Sequence, residues 1–420
     1  SEMCIRDRFL LPSRTGLFPF VAKQIAFRLT LLKPFIYIFL FLIYIFICKV
    51  RLFLFQIEIF PFRNHKSTLF SYNFTTSSEN LKVMRIGILT SGGDCPGINA
   101  TIRGVCKTAI SHYGMEVYGI RSGFRGLLDN DIIPLDENSL TGLLSMGGTI
   151  LGTSREKPFK NRANVPVSED KPAMMLKTIR ERKLDCVVCI GGNGTQKTAA
   201  KLAATGVNVV TVPKTIDNDV WGTDISFGFD SAVSIATEAI DRLHSTASAH
   251  QRVMVIEVMG HKAGWIALYS GMAGGGDIIL LPEIPFDIHR IGDTIISRLK
   301  KGKPYSIVVV AEGIPTLGGK KAAQYIAEEI EYETGFETRE TVLGYIQRGG
   351  GPTAFDRNLA TRMGGHATEL IASGQFGRMV SLRGSEITSV PLGEVAGKLK
   401  LVTEEHDLVI QGRRMGICFG

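Results

Sequence analysis

Pro213-Lys214-Thr215-Ile216-Asp217-Asn218-Asp219 follows an apolar run, Val207-Asn208-Val209-Val210-Thr211-Val212. The run has the composition of a buried strand. A lysine, a hydroxyl and two carboxylates therefore gather just past a strand's C-terminal end, where open α/β sheets place their ligand sites. One carboxylate can serve as a base, and the lysine can meet a phosphate. On this segment alone, a plain polar turn between strand and helix stands level with that reading.

The same layout recurs along the chain. Ile86–Leu89 leads into Thr90-Ser91-Gly92-Gly93-Asp94, with a helix expected near 99–111. Cys186–Ile190 leads into Gly191-Gly192-Asn193-Gly194-Thr195, with a helix expected over 196–204. Val253–Val258 runs into Met259-Gly260-His261-Lys262-Ala263-Gly264, and Ser306–Ala311 into Glu312-Gly313. Alternating strand, loop and helix predicts α/β layers with mainly parallel strands. Strands so uniformly apolar are covered on both faces. A chain of 420 residues has room for two such domains.

The formal charge of +8 is misleading, because residues 1–83 hold 11 Lys+Arg against 4 Asp+Glu and the rest holds 37 against 36. A near-neutral body gives no case for nucleic-acid binding. Cys186-Val187-Val188-Cys189 has the spacing of a metal or redox pair, but it lies inside a strand-like run and no second pair follows. Small buried thiols, in a reducing cytoplasm, are the expectation.

Residues 1–83 form a different kind of sequence, with 14 of the 23 phenylalanines. Phe35–Cys48 is a continuous apolar run between Pro34 and Lys49, shorter than the ~20 residues of a spanning helix. A membrane anchor and a poor targeting segment are both conceivable. The opening Ser-Glu-Met-Cys-Ile-Arg-Asp-Arg resembles translated adapter sequence, and the stretch after it resembles translated AT-rich untranslated DNA. The expectation is a non-native or disordered apolar extension, a true start at Met84, and no membrane association unless 1–83 is genuine.

Two Gly-Gly junctions, at Gly92 and Gly192, suit an anion: glycine admits close backbone approach and the next helix N-terminus favours negative charge. Neither fits a Walker-A loop. With Gly152-Thr153-Ser154-Arg155 between them, they suggest a polyphosphate held from several sides. Arg252, Arg339 and Arg348, the last in Gly344-Tyr345-Ile346-Gln347-Arg348-Gly349-Gly350, suggest a second phosphorylated ligand. A single arginine would be read as a surface salt bridge.

Taken together, Thr90–Asn99, Gly191–Thr195, Pro213–Asp219, Glu257–Gly260, Ala311–Gly313 and Leu343–Gly350 resemble the phosphofructokinase family in order and spacing, from about Met84 to the C-terminus. The resemblance implies two doubly wound three-layer α/β domains with the active site in the cleft between them. A nucleotide-binding domain would span 84–228, completed by about 345–395. A sugar-phosphate domain would span 229–344, completed by the C-terminal segment. The implied activity is phosphoryl transfer from ATP, with Mg²⁺, to fructose 6-phosphate in glycolysis. Asp217 would be the base, with Thr215 and Arg155 at the reaction. Gly92, Arg155, Glu156, Gly191, Gly192, Asn193, Gly194 and Thr195 would hold the nucleotide. Thr215, Ile216, Met259, Gly260, His261 and Glu312 would line the sugar, and Asp219 would support the metal indirectly. Arg252, Arg339, Tyr345, Ile346, Gln347 and Arg348 would hold the 6-phosphate, with Arg252 and Arg339 from a neighbouring subunit. A homo-oligomer, dimer or tetramer, with shared sites follows.

The chain departs from the family pattern in places. Asn193 stands where most members have a metal-linked Asp, and brings an amide oxygen without charge. Lys214 is of the pyrophosphate-using type, whereas Gly194 leaves the space ATP needs; sterics favour ATP. His261 and Tyr345 replace residues that are Arg and His in many bacterial members. His244 stands at an effector-arginine position, while Arg103 and Lys107 match basic effector-site positions. The rivals are a pyrophosphate-dependent enzyme, a lipid or NAD kinase suggested by Gly191–Thr195, and a catalytically weak regulatory homologue.

Overall fold

In a computed structural model of the chain, residues 83–159 and 170–420 are described. The expectations about the apolar run at 35–48 and the extension before Met84 lie outside the described residues. Each apolar run of the sequence forms a strand that ends where its glycine or polar loop begins. In chain order the first half gives β1 (Arg85–Ser91), α1 (Ile98–Lys107), β2 (Glu116–Ile120), α2 (Phe124–Asp129), β3 (Ile132–Leu135), α3 (Lys171–Glu181), β4 (Cys186–Gly191), α4 (Asn193–Ala203) and β5 (Val209–Pro213). The long α5 (Phe229–His250) leads to β6 (Val253–Val258), α6 (Trp265–Ala273), β7 (Ile278–Leu280), α7 (Ile288–Lys300), β8 (Ser306–Ala311), α8 (Ala322–Thr334) and β9 (Thr338–Val342). The chain closes with α9 (Ala354–Ala372), β10 (Arg378–Arg383), β11 (Glu386–Pro391), α10 (Leu392–Val395) and α11 (Asp407–Arg414).

The strands form a seven-stranded sheet, in the order β11-β10-β5-β4-β1-β2-β3, and a four-stranded sheet, β7-β8-β6-β9. The larger sheet is parallel from β10 to β2, with antiparallel pairs β2–β3 and β10–β11 at its edges. The smaller one is parallel throughout. The expected α/β class with mainly parallel strands is therefore present.

Alternating side chains of one strand enter different cores. Val188 and Ile190 join one cluster and Val187 and Cys189 another, so both faces of the larger sheet are covered and the apolar run needs no polar side. Each of these aliphatic side chains is fully buried, worth roughly 1.5–3 kcal/mol apiece. Cys186 and Cys189 belong to this packing as unpaired, buried thiols, and burial pushes both well above the usual thiol range. Among the described residues no group of three or more metal-ligating side chains occurs, and no helix is long and apolar enough to cross a membrane.

Topology sets the site. After β1 the chain moves to β2 on one side, whereas β4 lies on the other, so the loops after β1 and β4 diverge from neighbouring strand ends. Register puts Ser91 opposite Gly191 and Gly191 opposite Pro213, which brings three loops level. In the smaller sheet Val258 pairs with Ala311 and Glu257 with Val342, levelling the loops after β6, β8 and β9.

Candidate active site

The loops of the larger sheet are tied to one another. Gly92 N–H donates to the Ser154 carbonyl (3.0 Å), and Thr153 Oγ1 donates to the Gly92 carbonyl (2.6 Å). Ser154 Oγ donates to the Ser122 carbonyl (2.6 Å). The 152–155 turn is thus pinned to the β1 loop, and Arg155 projects from it exposed. Glu156, one residue on, pairs with Lys171 at 2.9 Å. Thr195 Oγ1 donates to the Ser91 carbonyl (3.4 Å), joining the start of α4 to the end of β1.

Close approach explains Gly93. A Cβ there would lie 2.8 Å from Arg348 Nη1; that guanidinium donates to the Asp94 carbonyl at 3.1 Å, while Lys214 Nζ donates to the Gly93 carbonyl. Gly194 is different. Its backbone is helical, and a Cβ would meet nothing within 4 Å. Neither conformation nor protein packing requires glycine at that exposed position.

Asp217 sits in a short loop shaped by its own neighbours. Asp217 N–H donates to Thr215 Oγ1 (3.1 Å), and Thr215 Oγ1 donates to Asp217 Oδ2 (3.2 Å). Asn218 takes the left-handed region (φ 51°) and turns the chain. Burial raises the Asp217 carboxyl above the usual range; Arg348 pulls it down, and Glu312 pushes it up. Burial also raises Asp219, to about 6, with Asp217 adding to the effect. Lys214, fully enclosed, is lowered by burial.

Three buried polar atoms here have no hydrogen-bond partner: Asn193 Oδ1, Asp217 Oδ1 and Arg348 Nε. Buried orphans are rare in folded proteins. Two acceptors and a cationic donor in one place are what a ligand with hydroxyls and phosphates would satisfy.

The smaller sheet contributes the facing loops. Glu312 Oε1 accepts from the N–H groups of Gly260 (3.2 Å) and His261 (2.8 Å). His261 adopts φ 54°, a strained value held by that carboxylate. Gln347 Oε1 accepts from Met259 N–H at 3.4 Å.

Of the sequence-predicted residues, these contacts bring together Gly92, Gly191 to Thr195, Thr215 to Asp219, Met259 to His261, Glu312, Gln347 and Arg348. Gln347 is fully buried, whereas Tyr345 and Ile346 are 75% and 68% exposed on the same turn. Arg252 and Arg339 are not brought in. They lie at the N-terminal end of the smaller sheet, Arg339 in register with Met254, and both pair with Glu337, Arg252 at 2.5 Å. His244 spends both ring nitrogens inside the fold, on Tyr305 OH (3.2 Å) and the Gly274 carbonyl (2.7 Å). Lys400, with Nζ 2.9 Å from Asn218 Oδ1, carried no sequence signal.

Known proteins resemble this chain in sequence and fold. The family described as Phosphofructokinase matches residues 85–371. ATP-dependent 6-phosphofructokinase 3 of Bacteroides thetaiotaomicron is 80% identical over 337 residues, covering 80% of this chain and all of that protein. A Streptomyces coelicolor protein named pyrophosphate–fructose 6-phosphate 1-phosphotransferase is 46% identical, covering 76% of this chain and 96% of that one. Pichia pastoris phosphofructokinase, solved in the T-state, superposes with a TM-score of 0.69 at 32% identity; the match covers 75% of this chain but only 35% of that longer chain. With a family match over most of its length and relatives this similar, the chain belongs to the phosphofructokinase family.

Proposed function

We propose that the protein is an ATP-dependent 6-phosphofructokinase. It transfers the γ-phosphate of ATP to the 1-hydroxyl of fructose 6-phosphate, giving fructose 1,6-bisphosphate in glycolysis. The observation that carries this reading is Asp217 Oδ1, buried and unpartnered between the glycine loops of one sheet and the Glu312 and Arg348 loops of the other. A carboxylate so placed can take the proton of a sugar hydroxyl as it attacks. Thr215 orients it. Phosphoryl transfer otherwise needs alignment and charge stabilisation rather than covalent chemistry. The glycine loops at Gly92 and Gly191 to Thr195, with Arg155 and the start of α4, supply those for the nucleotide, and Glu156 borders them. Ile216, Met259, Gly260, His261 and Glu312 line the sugar, with Tyr345, Ile346, Gln347 and Arg348 toward its 6-phosphate.

Mg²⁺ fits this donor set. It takes oxygen ligands and keeps several waters, and Asn193 Oδ1 is a buried oxygen with no other partner. Asp219 sits behind it, its carbonyl accepting from Asn193 Nδ2 at 3.4 Å. Asn193, backed by Asp219, would hold the cation, whose charge would offset that of the nucleotide phosphates.

The division into a nucleotide half (84–228 with about 345–395) and a sugar half (229–344 with the C-terminus) is supported by sheet membership. β10 and β11 join the larger sheet, and Cys418 bridges Ile278 in the smaller one. Arg252 and Arg339, remote from their own Asp217, would serve a neighbouring subunit, which makes the enzyme a homo-oligomer. Unpaired buried thiols suit a cytoplasmic location.

A second reading, pyrophosphate as donor, is favoured by Lys214 and by the pyrophosphate-named relative. Gly194 weighs against it, because an unexplained glycine in a helix keeps space that only a nucleoside needs. The test is the full chain with fructose 6-phosphate, Mg²⁺ and either donor. ATP should support turnover, and Asp217→Ala should lower kcat by roughly 10²–10⁴ without loss of the folded state. Turnover with pyrophosphate alone, or near-normal activity in that variant, would refute the reading.

A further inference from the structure

The segment between α10 and α11 crosses the molecule at Leu399–Val402, and one lysine on it meets the catalytic loop from behind. Lys400 Nζ donates to Asn218 Oδ1 (2.9 Å), to the Thr223 carbonyl (3.0 Å) and to the Asp224 carbonyl (2.6 Å). Three donors of an ammonium thus meet three acceptors. The ammonium also stands 5.4 Å from the centre of the Trp265 ring, a cation–π distance. The backbone repeats the attachment. Lys400 N–H donates to the Asp219 carbonyl (2.9 Å), and the Lys400 carbonyl accepts from Trp265 Nε1 (2.9 Å). Val220 and Leu399 form an antiparallel bridge beside it.

The target of these bonds is the left-handed turn at Asn218. A non-glycine residue at φ 51° persists where its surroundings hold it. Asn218 is buried, and its Oδ1 accepts from both Lys400 and the Ser226 N–H (3.1 Å). Asp217 and Asp219 flank it, so the turn fixes the direction of both carboxylates. The strap reaches the other sheet as well: Glu283 Oε1 accepts from Gly264 N–H (2.9 Å) and Val402 N–H (3.0 Å). We propose that Lys400 is a positioning residue of the phosphoryl-transfer site, its ammonium holding the Asn218 turn so that Asp217 faces the sugar hydroxyl. This rests on the reading of Asp217 as base. Asp224, whose carbonyl it meets, keeps its carboxylate on Arg383 and the Gly384 N–H, so Lys400 acts on the turn itself. Burial lowers Lys400 to about 8, with Asp224 and Asp219 opposing the shift; its charge is kept at neutral pH by the acceptors around it.

The test compares full-length Lys400→Met, Lys400→Ala and Asp217→Ala with the parent. A displacement near 1 Å at a reacting group can cost about 10²-fold in rate. Lys400→Met, which keeps the apolar stem, should lose about 10- to 100-fold in kcat, with KM for ATP within about threefold and a cooperative melt. Propylammonium should restore part of kcat in Lys400→Ala but not in Lys400→Met, whose side chain fills the space. Parent-like kcat in Lys400→Met overturns the proposal. So does loss of cooperative folding, or loss of ATP and sugar affinity together, since these mark a purely structural lysine. Absence of amine rescue overturns it too. Activity surviving in Asp217→Ala would instead refute the base assignment, whatever Lys400 does.

Discussion

Gly194→Ala separates what the protein needs from what its ligand needs. The residue lies in the first turn of α4 (Asn193–Ala203), in helical conformation, and an added Cβ would touch no protein atom within 4 Å. Alanine should therefore stabilise the fold by up to about 1 kcal/mol, the propensity difference in a helix. For a cooperative unit of this size that is roughly 1–2 °C in Tm. The same methyl should intrude on the nucleotide. Overfilling a packed contact costs about 1–3 kcal/mol, which is ~5- to 150-fold in kcat/KM for ATP. Calorimetry and a coupled assay on one preparation read both numbers, and any residual turnover with pyrophosphate should be unaffected. A variant that melts higher yet keeps kcat/KM for ATP within twofold of the parent refutes the claim that Gly194 clears space for the donor.

Two further outcomes follow from the carboxylates and the arginines. Activity should fall on the acid side of neutral, at a higher pH than an ordinary carboxylate would give, because burial raises Asp217 and its base role needs it ionised; Asp219 beside it is raised to about 6 by the same burial. Stability should move the other way. A carboxyl whose folded pKa lies above its unfolded one contributes stability fully below the unfolded value and loses it as pH rises through the folded value. Asp356, also raised to about 6 by burial, has the same sign. Parallel pH–rate and melting curves check this; a Tm falling in step with activity between pH 7 and 5 would make the acid limb an unfolding effect. For the shared site, Arg252→Ala and Asp217→Ala should each be poorly active, and subunit exchange between them should regenerate sites that hold both intact residues. Hybrids, verified by differently tagged subunits, that stay inactive would place the whole site within one chain.

Much of this arrangement was legible in the sequence, and the exceptions have physical causes. The five apolar runs form strands because both faces of their sheets are covered, so most of their residues are apolar, with Thr211, Glu257 and Ser306 as buried polar exceptions; Ser306–Ala311 matches residue for residue. β9 (Thr338–Val342) escaped notice because Thr-Arg-Glu-Thr-Val is an edge strand with exposed polar side chains. The true edges of the larger sheet, β3 and β11, are likewise only partly buried, whereas β10 inside it is broken by Ser381 and bounded by two arginines. α4 begins at Asn193, three residues before the expected 196, because the turn at Gly192 enters the helix directly. Within the site, the glycine loops and Pro213–Asp219 announced themselves by spacing after strands. Lys400 did not: its role comes from contacts across more than 170 positions, and nothing local marks it. Gln347 was expected at the ligand, yet it is buried with its amide oxygen on Met259 N–H, so its first effect is on the loop beside the sugar.

The larger sheet is finished by the last quarter of the chain. β5 ends at Pro213, but the strand that pairs with its outer edge, β10, begins at Arg378, and α9 (Ala354–Ala372) packs on α1 (Ile98–Lys107). During synthesis the whole smaller sheet is therefore delivered while the edge of β5 and one face of α1 stand uncovered. An open parallel edge is a template for wrong pairing, and contacts this distant in sequence form late. The edge of β5 and a face of the first helix are among the last surfaces to be sealed, so the terminal segment that carries Lys400 arrives as the closure of the molecule and not as an appendage to it.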